Sequence, residues 1–238
     1  MKKIFLFIIF FIFSFNFSFA ESRFGDLTEL RDERMRGKDG KWVRPHPGPF
    51  VWNNIEKEQG VFSWKKTDEY VVYAQKHNQK ILATIWPYAN WEQKSCKRSK
   101  GRSPFGKKFS KYLSKPCSMD DYKTFLLNLV DRYDGDGNND MQGLTKPIIH
   151  WEIMNEPEFD MFFKGTEDEF VEIFNFSSKL IREKQKDAVI VMAGAAGMFP
   201  ENKKFWKSAL PKIKDHFDIA NIHHITPPEG KCDKEFWV

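Results

Sequence analysis

The sequence predicts an α/β fold, a parallel (β/α)8 (TIM) barrel carried to about its sixth strand, and three observations predict it. Short apolar runs rich in β-branched and aromatic residues alternate with amphipathic stretches from Lys41 to His223, the pattern of parallel strands joined by outer helices. Polar and aromatic residues gather where those runs end: Arg44 and His46, Trp86, Asn155 and Glu156, His223 and His224. The carboxyl ends of the strands are the working face of such a barrel. Barrels of this kind take about 250 residues, whereas these 238 residues reach a sixth strand and show no seventh or eighth unit, so the expectation is an incomplete barrel.

Residues 1–20 open with Lys2 and Lys3, continue as a Phe/Ile-rich apolar run and end in Ser18-Phe19-Ala20. That is the layout of a secretory signal peptide, with the mature chain expected to start at Glu21 and to be secreted or periplasmic. The apolar run is shorter than the roughly 20 residues that span a bilayer, so no membrane partner is expected after cleavage. Residues 21–238, rich in aromatics and mixed in charge, suit one catalytic domain with one core. A formal charge of +5, part of it from Lys2 and Lys3, is too mild to predict a nucleic-acid partner. In an exported chain Cys96 and Cys117 are expected to close the long segment after the third strand, leaving Cys232 odd.

Taken in order, Phe24-Gly25 is the only trace of a first strand, and Leu27 to Arg36 reads as a short charged helix ended by Gly37 to Gly40. Lys41 to Arg44 begins the second strand. Phe50 to Phe62 is a looped segment, Asp68 to His77 a helix by the spacing of Val71, Val72 and Ala74, and Lys80 to Trp86 the third strand. Lys94 to Lys115 reads as a solvated loop. Tyr122 to Tyr133 is an amphipathic helix with Phe125, Leu126, Leu129 and Val130 inward. Glu167 to Lys184 is the next helix, Ala188 to Ala193 the fifth strand, Phe205 to Ile213 a helix or helical turn, and Phe217 to His223 the sixth strand. The small run Ala193 to Gly197 permits close backbone approach at the mouth.

Between the helices at Tyr133 and Glu167 lies the stretch PIIHWEIMNEPE, Pro147 to Glu158. Its apolar strand, Ile148 to Ile153, stops abruptly at an amide, a carboxylic acid and a proline, and Pro157 ends it by removing a ladder donor. Strict alternation puts His150, Glu152, Met154 and Glu156 on one side. Trp151 and the buried approach are expected to lower the local dielectric and raise the pKa of Glu156, giving an acid that can donate a proton. Upstream, Asp134, Asp136, Asn138 and Asp140 alternate oxygen-bearing side chains as in the first ligand positions of a calcium loop. Asn139 stands where that loop has Gly and Thr145 where it has Glu, so a structural calcium and a solvated turn both remain open. There is no Walker A loop, no H-E-x-x-H and no strand-bound G-x-G-x-x-G, so no other cofactor is expected.

The motif Trp151-Glu152-x-x-Asn155-Glu156-Pro157 resembles the clan A retaining glycoside hydrolases, which include cellulases, xylanases, β-galactosidases and β-xylosidases. The resemblance extends through the upstream run VRPHPGPFVWNN to ATIWPYANW and covers roughly Lys41 to Ile225. It implies that Glu156 is the general acid/base, that Asn155 contacts the sugar 2-hydroxyl, and that a second Glu, ending a seventh strand, is the nucleophile that this sequence lacks. It also implies that Arg44 lies beneath the sugar; pairing of Arg44 with Glu152 is an equal alternative, and both can hold. His46, Trp86, Trp91, Trp151, His223 and His224 complete the substrate-binding candidates, since aromatic rings pack on the C–H faces of sugars. Trp86 and Trp91 fit core positions equally well. The expected activity is hydrolysis of O-glycosidic bonds in a β-linked polysaccharide or oligosaccharide, with this chain inactive by itself. The rival is a non-catalytic carbohydrate-binding remnant.

Overall fold

The computed structural model describes residues 25–28, 41–98, 109–196 and 200–223. The signal segment, His224 and Cys232 lie outside them. The first strand, β1 (Gly25–Thr28), runs parallel to β2 (Trp42–Pro45). The helix expected from Leu27 therefore does not begin there: Leu27 and Thr28 are strand residues, and the rest of that expected helix lies outside the described residues. The cause is a close approach that only glycine permits, because a Cβ on Gly25 would stand 2.6 Å from the Cβ of Trp42. Local charge patterning loses to strand pairing.

The expected loop over Phe50 to Phe62 holds a helical turn, α1 (Trp52–Ile55), and a small antiparallel pair, β3 (Glu56–Glu58) and β4 (Val61–Phe62). Buried Glu56 folds this excursion onto itself by accepting from Trp52 Nε1 at 2.6 Å and from the Gly60 N–H at 2.7 Å. Helix α2 (Lys65–Lys76) leads into β5 (Lys80–Ile85), and α3 (Asn90–Ser95) follows. Helix α4 (Met119–Tyr133) starts earlier than its apolar spacing suggested because Ser118 caps it, accepting from the Asp121 N–H. Next come β6 (His150–Ile153), α5 (Glu167–Lys184) with the Thr166/Glu169 capping box, β7 (Val189–Val191) and α6 (Pro200–Ile213). Cys96 and Cys117 form the expected disulfide.

The main sheet has the order β1-β2-β5-β6-β7, every pair parallel. The expected sixth strand is present as bridges, Val191 with Ile219 and Ala195 with Ile222, rather than as a continuous strand. Helices cover one face, where Val43, Ile81, Ala83, Ile85, Trp151, Ile153 and Ile190 are buried. The alternate residues face the concave side. There Trp42, Arg44, Leu82, His150, Val191, Ile219 and Asn221 line a cavity of 420 Å³. Leu27 and Ile219 are exposed, 58% and 44%, and β1 has β2 as its one neighbour among the described residues. No helix among the described residues is long and apolar enough to cross a membrane.

Candidate active site

The site begins with a charge inside the sheet. Thr84 and Glu152 are register partners on β5 and β6 and both point to the concave side. Glu152 is fully buried, so an unpaired carboxylate there costs several kcal/mol. It is fully engaged: Oε2 takes Arg44 Nε at 2.7 Å and Thr84 Oγ1 at 2.5 Å, and Oε1 takes Asn221 Nδ2 at 2.5 Å. Arg44 also donates from Nη2 to Asn155 Oδ1 at 2.6 Å. Arg44 thus pairs with Glu152 and reaches the end of β6 at the same time.

Strict alternation fails just past the strand. Met154 (φ +67°) and Glu156 (φ +42°) are left-handed non-glycine residues, a conformation that costs energy and persists only where the surroundings hold it. Met154 is buried and does not share a side chain direction with a continuing strand; Asn155, nearly fully buried, is the residue that joins Glu152 on Arg44. The backbone is held by a Met154 N–H to Ile85 O bond at 3.0 Å and a Glu156 N–H to Gly194 O bond at 2.9 Å.

Glu156 is thereby turned toward His223, whose Nδ1 lies 2.7 Å from Glu156 Oε1. Asn221 Nδ2 approaches His223 Nε2 at 3.3 Å. An amide NH2 can only donate, so Nε2 accepts and Nδ1 carries the proton given to Glu156. The His223 ring packs close against Gly194, where a Cβ would come within 2.3 Å of it. His46 accepts from Arg44 Nη1 at 3.4 Å. Its pKa falls to about 3 through burial first, then the Arg44 charge, then His223, so His46 is a neutral acceptor at physiological pH.

The structure therefore brings together Arg44, His46, Asn155, Glu156 and His223. Trp86 adjoins this group from below: it is fully buried, donates to Pro47 O at 2.7 Å, and its ring centroid is 5.7 Å from that of His46. Trp91 packs edge-on to Trp52 and donates to Glu56 O at 3.0 Å, on the outer excursion. Trp151 corrects an expectation. It sits on the helix-covered face, fully buried, donating to Gln185 Oε1 at 2.8 Å, so it neither contacts a substrate nor lines the surroundings of Glu156. Alternation alone places it opposite Glu152. His224 lies outside the described residues.

The expected calcium ligands do not converge as a set. Asp136 Oδ1 accepts from the Asn138 N–H, and Asp140 accepts from the N–H groups of Gly135 and Gly137, so these side chains tie down the loop's own backbone. The carboxylates that do meet are Asp131, Asp134 and Asp136, with oxygens within 4.8 Å of one another. Lys184 from α5 sits among them, paired with Asp131, with Asp134 at 3.5 Å and with Asp136 at 3.2 Å. The ammonium supplies the positive charge that the cluster requires.

Thr84 and Asn221 escaped the sequence reading. Each lies two residues from a position that reading did single out, Trp86 and His223, and same-face spacing along a strand is the signal that finds them.

A parallel sheet with outer helices, carrying a buried Arg-carboxylate-amide network and a Glu-His pair at its carboxyl ends, defines the fold class: the sheet of a (β/α)8 barrel. Comparison with solved structures agrees. The fold is similar to that of a glucosidase from Croceicoccus marinus (TM-score 0.54, 18% identity, 79% of this chain and 37% of that one). It is similar also to a monomeric β-xylosidase from Caulobacter crescentus CB15 (0.58, 14%, 87% and 44%) and to xylanase 10B from Thermotoga petrophila RKU-1 (0.53, 10%, 83% and 58%). The chain spans about two fifths of the first of these and under two thirds of each. No family model matches the sequence, and no curated protein matches it. At these identities the likeness is one of fold, that of a (β/α)8 barrel.

Proposed function

We propose that the chain belongs to an exported glycoside hydrolase that cleaves β-linked polysaccharides or oligosaccharides with retention, Glu156 protonating the departing oxygen. The observation that carries this reading is the placement of Asn155 and Glu156 at the end of β6, with Glu156 Oε1 held by His223 at 2.7 Å. That bond leaves Oε2 for proton transfer. Asn155, fixed by Arg44, is set to meet a sugar hydroxyl. The retaining route needs a second carboxylate about 5 to 5.5 Å away across the sugar. Glu152 cannot serve, since it lies on the same strand with both oxygens committed. The nucleophile is therefore assigned to a strand outside the described residues, and two further strand-helix units would cover Leu27, Ile219 and the 420 Å³ concavity between them.

The test is release of aryl aglycone from β-glycosides by the 238-residue chain and by a version completed with those two units and a Glu ending the seventh strand. Hydrolysis only by the completed version supports the reading. Binding of oligosaccharides without hydrolysis in either version points to the carbohydrate-binding remnant. Export has its own measurement: protein recovered outside the inner membrane should begin at Glu21, and a retained Met1 would refute it.

A further inference from the structure

Glu158 lies two residues beyond Glu156 and takes no part in the network around Glu152. Its Oε1 accepts two N–H groups from elsewhere in the fold, that of Ala196 at 2.6 Å and Trp206 Nε1 at 2.9 Å on α6. Its Oε2 is shielded from solvent and takes no hydrogen bond among the described residues. Burial raises its pKa against the pull of the Trp206 and Ala196 donors. A half-buried carboxyl whose second oxygen has no partner among the described residues is destabilising by itself, so what its first oxygen holds accounts for its place in the fold.

What that oxygen holds is visible in how the turn at Glu156 is secured. The left-handed backbone of Glu156 is fastened on one side by its own N–H to Gly194 O. On the other side the turn closes through the Phe159 N–H to Glu156 O at 3.1 Å, and Glu158 then reaches back to Ala196. The segment 194–196 is itself bound to the segment carrying His223, through the Ala195 N–H to Asn221 O at 3.0 Å and the His223 N–H to Ala195 O at 2.8 Å. Glu156 and His223 are thus fixed relative to one another through a common strip, and Glu158 ties that strip to the turn and to α6. Trp206 gives it a firm post, packed against Phe170 and Phe205 at 5.7 and 5.4 Å between ring centroids.

We propose that Glu158 is a positioning residue that clamps the Glu156 turn to residues 194–196 and to α6, holding the Glu156 carboxyl in hydrogen-bond register with His223. The proposal rests on the reading of Glu156 as the acid for its functional meaning, but its geometry stands apart from that reading.

The experiment follows the His223 Nδ1 proton by NMR in the 238-residue protein, its signal assigned by its loss in His223→Phe. Wild type shows an exchange-protected, downfield imidazole N–H. Glu158→Gln, which keeps an acceptor oxygen, retains it. Glu158→Met, of similar volume, and Glu158→Ala both lose it, while the indole N–H of Trp206 moves upfield and the rest of the spectrum stays folded. Having two non-accepting replacements keeps the test open if one of them does not fold. As a control for general destabilisation, Ser178→Ala removes a part-buried bond to His216 O and leaves the His223 proton in place. Persistence of that proton in a folded Glu158→Met or Glu158→Ala protein overturns the proposal, as does its loss in Ser178→Ala. Failure of Glu156→Gln to alter glycoside hydrolysis bears only on the reading of Glu156 as acid, so the two failures are distinguishable.

Discussion

Replacing Arg44 by Met removes the one cation that pairs with Glu152 among the described residues and leaves a fully buried carboxylate with a hydroxyl and an amide as donors. Removing one partner of a buried ion pair costs about 3–5 kcal/mol, because the other charge stays behind uncompensated. Domains of this kind have a total stability of about 5–15 kcal/mol, so the variant should sit near the edge of folding. In urea, with a slope of about 2 kcal/mol/M, the midpoint should fall by about 2 M. The second arm is the double variant Arg44→Met with Glu152→Gln, which removes the stranded charge. It should be more stable than Arg44→Met alone, since the penalty lies in the unpaired carboxylate and not in the missing attraction. A loss below about 1 kcal/mol for the single variant, or a double variant less stable than the single, would show that water from the open concave side already solvates Glu152.

Two further outcomes follow from the same electrostatics. His46 has its pKa depressed to about 3 from 6.5, so the unfolded chain takes the proton more readily; the stability His46 contributes is full above pH 6.5 and is lost as pH falls from there through about 3. Between pH 7 and pH 4 the wild type should lose up to a few kcal/mol more than His46→Gln, at about 1.4 kcal/mol per pKa unit discounted for partial exposure, and parallel urea midpoints for the two proteins would contradict this. At the acidic loop, Lys184 already fills the space between Asp131, Asp134 and Asp136, so millimolar calcium or a chelator should leave the wild-type melting temperature unchanged; a rise with calcium and a fall with chelator would return this cluster to the metal sites.

The sheet was legible because each strand carries its own signal. Ile148 to Ile153 and Lys80 to Trp86 are apolar runs ended by polar residues, and α5 is bounded by Thr166 and Gln185 much as its pattern suggests. What escaped was set by partners distant in sequence. β1 shows in the sequence only as the trace at Phe24-Gly25; its extent to Thr28, in place of a helix from Leu27, comes from pairing with β2 around Gly25. The sixth strand is legible as an apolar run but forms only bridges. In the site, the pairing of Arg44 with Glu152 is legible as one of two readings of Arg44, whereas Trp151, a neighbour of Glu156 in sequence, lies on the other side of the strand. The left-handed Met154 and Glu156 were invisible, since nothing in Met-Asn-Glu announces a positive φ. In the acidic loop the spacing of Asp134, Asp136 and Asp140 suggested ligands, but Asp131 and Lys184 come from the neighbouring helices and decide how the charge is balanced.

Leaving-group dependence in the completed protein probes the proposed role of Glu156 as proton donor. Rates are compared for Glu156→Gln and the parent on aryl β-glycosides whose leaving phenols range from acidic to weakly acidic. A general acid contributes about 10²- to 10⁴-fold when the departing oxygen needs its proton. Glu156→Gln should therefore slow cleavage of the least acidic phenol by about that factor and cleavage of the most acidic phenol far less. An equal loss across the whole series, or no loss at all, would contradict the assignment.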